Sequence, residues 1–546
     1  MKTRYQLTKY SGINYCIAIL GALVLLGLTN CTKNFDKYNT DPSGIANKNL
    51  QIPTLFIPLE QEILYSADDG YQTAQNLNAD IYAGYATPTQ TFGTTLNNMN
   101  YVFVDNWNSE AFNSIYTNLI GPIKNKLAAT GVKTSLPDFW AIALIVEVEA
   151  IDRVTDKFGP VPYSKVGTSL ISIPYDSQQS IYTQMFAQLD TATSTLQSYI
   201  AAHPGATPFA NSDVVYGGDY TKWLKFANSL RLRLAMHIVK VDPATAQTQG
   251  EKALSAAGGL LSDPTDLAAI AVAGQNDYWQ ITASYTDNSV NATITSYMNG
   301  YNDPRLPVYF LPVNTDPTQP GPLPAQYAGQ YIGIRLGGIV PAKPFYSGFS
   351  VYNYNTTFTV TTKETVMTAA EVWFLKAEAA LRGWNGAGNA QTDYETGIQN
   401  SMTQYGVGSA ASAYIADGTS KPADYVDPLN ADNNIAASSA ITIKWDPTAA
   451  NETNLERIIT QKWLAMFPEG QEAWTEFRRT GYPKVFPVVI NNSGGTIDTK
   501  IQVRRISYPL SEYSSNGVAA KAGVNLLGGP DNGGTRLWWD VNKPNF

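Results

Sequence analysis

The chain has 546 residues, 44% of them hydrophobic, a formal charge of −8 and only two cysteines. Such a length supports a large core and more than one domain. The acidic balance argues against nucleic acid, whose phosphates are met by Lys and Arg, and two cysteines exclude a disulfide framework or a Cys₄ zinc site.

The two histidines, His203 and His237, have no histidine neighbour in sequence. Histidine-based metal binding or a histidine triad is therefore not expected. Aromatic residues are the plentiful resource, with 33 Tyr, 19 Phe and 11 Trp. Rings among Asn, Thr and Gln suit neutral polar ligands such as sugars, although exported proteins in general share that composition.

Lys2, Arg4 and Lys9 precede a short apolar run, residues 13–28, and then Leu28-Thr29-Asn30-Cys31. The run is short of the roughly 20 residues a membrane span needs, and a basic start before it marks a secretory leader. Leu at −3 and Cys at +1 are what a bacterial lipoprotein signal requires. The expected organisation is a signal peptide over 1–30, a lipidated tether over 31–50 starting at Cys31, and one domain over 51–546. The competing reading is an ordinary leader followed by a coincidental cysteine, since Asn30 is an unusual residue at −1. Several acyl chains anchor far better than one, because each buried methylene adds about 0.8 kcal/mol.

The tether contains the turn-forming Asn39-Thr40-Asp41-Pro42. Leu55, Leu59 and Ile63 begin the helical periodicity. Residues 70–108 mix helix and exposed loop and carry Tyr82, Tyr85, Tyr101 and Trp107. The first strong helix runs over 138–154 and stops before Phe158-Gly159-Pro160. Ser180 is a candidate cap for the next helix, with Ile181, Met185 and Leu189 along it. Residues 223–239 predict a third helix, in which Arg231 and Arg233 need buried carboxylates or helix ends as partners. A shorter helical stretch over 251–257 ends at Gly258-Gly259.

From about 263 to 358 the periodicity is lost, and Pro, Gly, Asn and Tyr dominate. This is read as a long loop-rich insert, of the kind that is usually functional when it is ordered. Helices resume over 368–381, then residues 406–440 read as loop. Leu455, Ile459, Trp463 and Phe467 mark one more helix and 471–479 another, where Arg478 and Arg479 need the same kind of partner as Arg231 and Arg233. The fold class is mainly α, in helix pairs with long loops and little β; no clean 34-residue repeat is present.

The best ring-and-amide constellation for a ligand is Gln275, Asn276, Asp277, Tyr278, Trp279 and Gln280, followed by Tyr297, Asn299 and Tyr301. A second is Tyr82, Tyr85, Tyr101 and Trp107. The competing reading is that these rings pin their own loops to the scaffold. No G-x-S-x-G, H-E-x-x-H, Walker or dinucleotide motif occurs, so an enzyme is not expected. A carboxylate pair for glycoside hydrolysis is not excluded by counting. No cofactor is expected; the acidic stretch 427–434 offers calcium-type oxygens without the EF-hand pattern.

Several stretches together resemble the SusD/RagB-like surface lipoproteins of Bacteroidetes, in the SusD-like, starch-binding-associated branch. They are Cys31-Thr32 with NTDP at 39–42, DKFGPVPYS at 156–164, WLKFANSLRLRLA at 223–235, NDPRLP at 302–307, EVWFLKAEAALRG at 371–383, QKW at 461–463, EAW at 472–474, RRTGYP at 478–483, RRISYP at 504–509 and WWD at 538–540. They span nearly the whole chain in family order. The resemblance implies a scaffold of TPR-like helix pairs and an outer-membrane lipoprotein at the cell surface. It also implies a SusC-like TonB-dependent transporter as partner and non-catalytic capture of oligosaccharide for import. A peptide-capturing lid of a RagAB-type importer is the alternative, and a surface glycoside hydrolase a more distant one.

Overall fold

Apolar residues at helical spacing build the framework of the computed structural model, which describes residues 51–65, 70–92, 95–168, 170–315 and 321–546. The leader, Cys31 and the tether lie outside the described residues. Residues from Pro53 to Phe546 form one compact unit.

Eight helices carry most of it. They are α1 (Pro137–Phe158), α2 (Gln178–Ala202), α3 (Tyr220–His237), α4 (Pro243–Leu254), α5 (Ala369–Leu381), α6 (Ala390–Gln404), α7 (Asn451–Met466) and α8 (Gly470–Thr480). Neighbours in sequence pack as pairs: α1 on α2, α2 on α3, α3 on α4, and α5 on α6. Helix α5 also packs on α7, and α8 returns to α3. Close approach in the α5–α6 pair rests on Gly397, where an added Cβ would stand 2.9 Å from the Phe374 ring.

The helix starts are explained by local chemistry. Pro137 opens α1, where a missing N–H costs nothing. Thr368 caps α5 by accepting from Glu371 N at 3.1 Å. The expected cap Ser180 is corrected to Ser177, whose hydroxyl accepts from Ser180 N at 3.2 Å. Helix α2 starts earlier because Gln178 and Gln179 supply its first turn ahead of the apolar stripe. Helix α6 was not expected. Its polar surface leaves only Tyr394, Ile398 and Met402 as a stripe, and all three are buried.

All sheet among the described residues is four antiparallel two-stranded pairs. They are β1 (Ala86–Pro88) with β5 (Asn288–Val290), β2 (Val161–Pro162) with β3 (Tyr175–Asp176), β4 (Ala268–Ile270) with β8 (Glu364–Met367), and β6 (Phe310–Leu311) with β7 (Val351–Tyr352). Three of the pairs engage the segment 263–358. That segment is thus stitched to the scaffold by strands too short to show a period in sequence, and it contains a further helix, Ala292–Gly300. A separate apolar cluster that includes Val313, Ile334, Phe349, Tyr425 and Phe486 holds it down.

Between α3, α5, α7 and α8 lies a buried charged layer. Arg233 grips Glu371 with two bonds of 2.8 Å. Lys462 bridges Glu472 and Glu476 at 2.9 Å each. Arg479 meets both Glu378 oxygens at 2.7 Å. Outside this layer, Arg231 pairs with Asp190 of α2 at 2.6 Å. Arg478 differs from expectation: it lies 3.6 Å over the Trp474 ring and donates to the carbonyls of Asp156 and Arg504. Burial pulls the pKa of Arg478 down to about 9.

Candidate ligand-binding surface

A ring can hold a ligand only if one face is open. Most rings of the two sequence-derived constellations have none. Tyr85 stacks on Trp463 at 5.4 Å and donates its hydroxyl to the Trp463 carbonyl. Tyr82 leans on Trp474 at 5.5 Å and donates to Asn98 O at 3.2 Å. Tyr278 is edge-on to Tyr71 at 5.2 Å. Tyr297 is edge-on to Trp463 at 5.3 Å, and Tyr301 donates to Ile441 O at 3.0 Å. All five are buried, and burial pushes the Tyr82 and Tyr85 hydroxyls well above the usual tyrosine range.

The polar members are occupied as well. Asn276 accepts from Trp279 N at 2.9 Å and donates to Thr362 O at 3.0 Å. Asp277 N donates to Glu364 at 2.6 Å. As ligand contacts, Tyr82, Tyr85, Tyr297, Tyr301 and Asn276 are corrected to packing and capping groups, because protein already covers their faces and atoms; Asp277 is buried, and Tyr278, also buried, belongs to the lining of the cleft described below. Trp279 keeps a half-buried ring. Trp107 is buried and meets Phe92 edge-on at 5.3 Å.

Partly exposed rings of the same kind also lie on three loops that meet at Asp287. Its carboxylate accepts from Gln72 at 3.3 Å, from Lys343 at 2.6 Å and from Gln90. Its carbonyl accepts from Thr89 N at 2.9 Å, and Lys343 also donates to Tyr285 O. These bonds tie the segments 89–92, 284–287 and 343–346 into one surface. It carries Phe92 and Tyr285, both half-buried, and Phe345, which is 36% exposed. Leu96 at 50% and Ile339 at 64% exposure add apolar area on the adjoining loops.

Two residues of this surface hold left-handed backbone: Phe92 at φ +50° and Thr286 at φ +54°. Bulky and β-branched side chains rarely do so, and such strain of about 1–3 kcal/mol per residue gathers at functional sites. Lys343 is held by Asp287, so the surface offers rings and amides more than free charge. That arrangement suits the flat apolar face and ring hydroxyls of a neutral sugar.

Metal-type clusters lie at the charged layer, where α1 and α8 meet His237 of α3. Asp152, Asp156 and His237 form one, and His237, Glu472 and Glu476 another, each with its ligand-type atoms within 4.8 Å. Glu472 and Glu476 already face the Lys462 ammonium. Burial disfavours a charged His237, but Glu472 at 3.0 Å and Asp152 outweigh it and hold its pKa well above the usual histidine value. The clusters are therefore parts of an ion network. In the turn 427–434, Asp427 is occupied by amide donors from Leu429, Asn430 and Asn433.

Comparison with known proteins settles the fold family. The sequence model of the SusD and RagB outer-membrane lipoproteins matches residues 32–540. The chain belongs to the SusD/RagB family of outer-membrane lipoproteins. A solved structure described as a chitin-binding SusD homologue from Flavobacterium johnsoniae is 43% identical, with 91% of this chain and 100% of that one covered at a TM-score of 0.84. SusD homologues from Bacteroides vulgatus and Bacteroides uniformis are each 35% identical and cover 90% of this chain; their own coverage is 98% and 99%, and their TM-scores are 0.83 and 0.82. No curated protein sequence matches the chain. The family's helix-pair scaffold is the one described above. No helix among the described residues is long and apolar enough to cross a membrane.

Sequence reasoning missed Phe92, Tyr285 and Phe345. Tyr285 and Phe345 lie inside the expected insert, but nothing local separates them from the buried rings around them. One usable signal was Pro344-Phe345-Tyr346, a ring pair after a proline in a polar loop.

Proposed function

We propose that this protein is a non-catalytic, cell-surface lipoprotein, acylated at Cys31, that captures an oligosaccharide and passes it to a SusC-like TonB-dependent transporter. The observation that carries the reading is the 43% identity, over its full length, to a homologue described as chitin-binding. The ring-bearing surface at Asp287 supports it, since partly open rings beside amide groups are what a β-linked amino sugar would stack on and bond to. The ligand class favoured is a neutral oligosaccharide of the chitin type.

Titration with chitin oligosaccharides tests the reading. Phe345→Ala and Tyr285→Ala are expected to weaken binding about 5- to 30-fold, the effect of losing a central aromatic anchor. Trp279→Ala, in the sequence-derived constellation, measures whether that half-buried ring contributes. If the wild type binds a peptide library and no glycan, the peptide-importer reading takes over. Mass spectrometry of the mature N-terminus tests acylation at Cys31. Co-purification of a barrel from native membranes tests the transporter.

A further inference from the structure

A cleft of about 1030 Å³ opens between the turn that leads into α3, the β4–β8 pair, the loop 356–363 and the end of α6. It shares no lining residue with the ring-bearing surface. Its size is at the upper end of ordinary small-ligand sites, enough for a short sugar.

The turn is held rigidly. Asp213 accepts from Val215 N and Tyr216 N at 2.9 Å, Gly218 N at 2.7 Å and Trp223 Nε1 at 2.8 Å. Ala271 N reaches Val214 O at 3.3 Å, which clips the turn to the end of β4. Lys363 Nζ donates to Val214 O at 3.1 Å and Val215 O at 3.4 Å.

The lining is amphipathic. Val215, Leu267, Ala269, Val308 and Phe358 supply apolar wall, while Thr265, Thr356, Thr362 and Thr365 line the rest. Two ammonium groups belong to it, Lys222 and Lys363. Neither has a carboxylate within ion-pair distance among the described residues, unlike Lys225, which meets Asp266 at 2.7 Å. Behind the walls, burial and then the neighbour Asp213 hold Glu60 well above the usual carboxylate range; burial and then Asp277 do the same for Glu364. Asp213, the carboxylate within the lining, is already surrounded by four donors, and Asp219 accepts from Lys222 N at 3.2 Å. Tyr216 Oη and Gln404 Oε1, buried in the lining residues, lack a hydrogen-bond partner. The result is a hydroxyl-rich cleft with two ammonium groups that have no ion-pair partner among the described residues.

We propose that this cleft is a second ligand site, taking a short sugar acid whose carboxylate meets Lys222 and whose hydroxyls meet the threonines. Charge complementarity favours the acid over a neutral sugar, and the apolar wall favours a pyranose over a simple inorganic anion.

The test is calorimetric titration of the full chain with digalacturonate, with chitobiose as the neutral comparator. Digalacturonate is expected to bind, more weakly as salt rises. Lys222→Gln is expected to weaken it at least tenfold and Lys222→Arg to restore it. Lys222 is half-exposed, so neither change threatens the fold. Phe345→Ala is expected to leave digalacturonate binding unchanged. Absence of digalacturonate binding, equal binding by Lys222→Gln, or equal affinity for chitobiose in the cleft overturns the proposal. Failure of chitin oligosaccharides to respond to Phe345→Ala counts against the surface at Asp287 and leaves the cleft untouched.

Discussion

The charged layer among α3, α5, α7 and α8 and the loop surface around Asp287 are made from the same materials, aromatic rings and charged side chains, and end in opposite states. In the layer every guanidinium has its carboxylates or carbonyls, and the rings cover one another. Arg479 lies between Glu378 and Glu476, and Tyr85 is closed by Trp463 and Phe467. At the surface one ion pair, Lys343 with Asp287, ties the loops together, and the rings they carry stay partly open. Composition does not separate a structural ring from a ligand-facing one. Whether a second ring or a carbonyl has already met it does.

The largest expected effect comes from breaking the layer. Arg479→Ala leaves Glu378 with Arg382 alone and takes from Glu476 one of its two cations. Stranding buried charge in this way is expected to cost about 3–5 kcal/mol, read from denaturant unfolding. A loss below about 1 kcal/mol would show that the layer does not support the scaffold.

Acid sharpens the same point. Burial opposes ionisation of Glu378, but Arg479 and Arg382 outweigh it and hold its pKa down at about 2. A depressed carboxylate contributes stability that is present above the unfolded value near 4.5 and is lost as pH falls toward 2. The stability gap between wild type and Glu378→Gln is therefore expected to be full at neutral pH and to shrink between about pH 4.5 and 2. A gap that does not change with pH would remove the charge from the explanation.

Glu62 carries the opposite sign. Burial pushes its pKa up to about 7, although Ser114 and Asn118 donate to it. A raised carboxyl contributes stability below about 4.5 that is lost as pH rises through 7. Glu62→Gln should gain on wild type across that window in thermal unfolding at matched pH values; a gain at acid pH instead would contradict the burial argument.

The smallest effect is the most discriminating between the two regions. Tyr85→Phe removes one hydroxyl bond inside the core and is expected to cost about 0.5–1.5 kcal/mol of stability, with no change in chitin-oligosaccharide affinity. Loss of affinity without loss of stability would return Tyr85 to the ligand.

Some of this was legible from the residues alone. The stripe of Leu224, Leu230 and Leu234 marks α3, Thr368 marks the start of α5, and Gly481 at φ +82° marks the end of α8. Partners for Arg231, Arg233 and Arg479 could be required without being named, since an unpaired guanidinium is too costly to bury. Helix α6 was lost among polar residues, and the strands were lost because two to four residues show no period.

By itself, then, the sequence determined the mainly helical class, the positions of most long helices, the demand for buried counter-charges and the family. Those rest on periodicity, on capping and on motifs that act over a few residues. Only the tertiary structure decided which rings are open. Tyr85 is closed by Trp463, 378 residues away, while Tyr285 is tied to its loop surface by Lys343, which donates to its carbonyl. Burial of a side chain is set by what the rest of the chain lays over it, and a single line of residues does not record that.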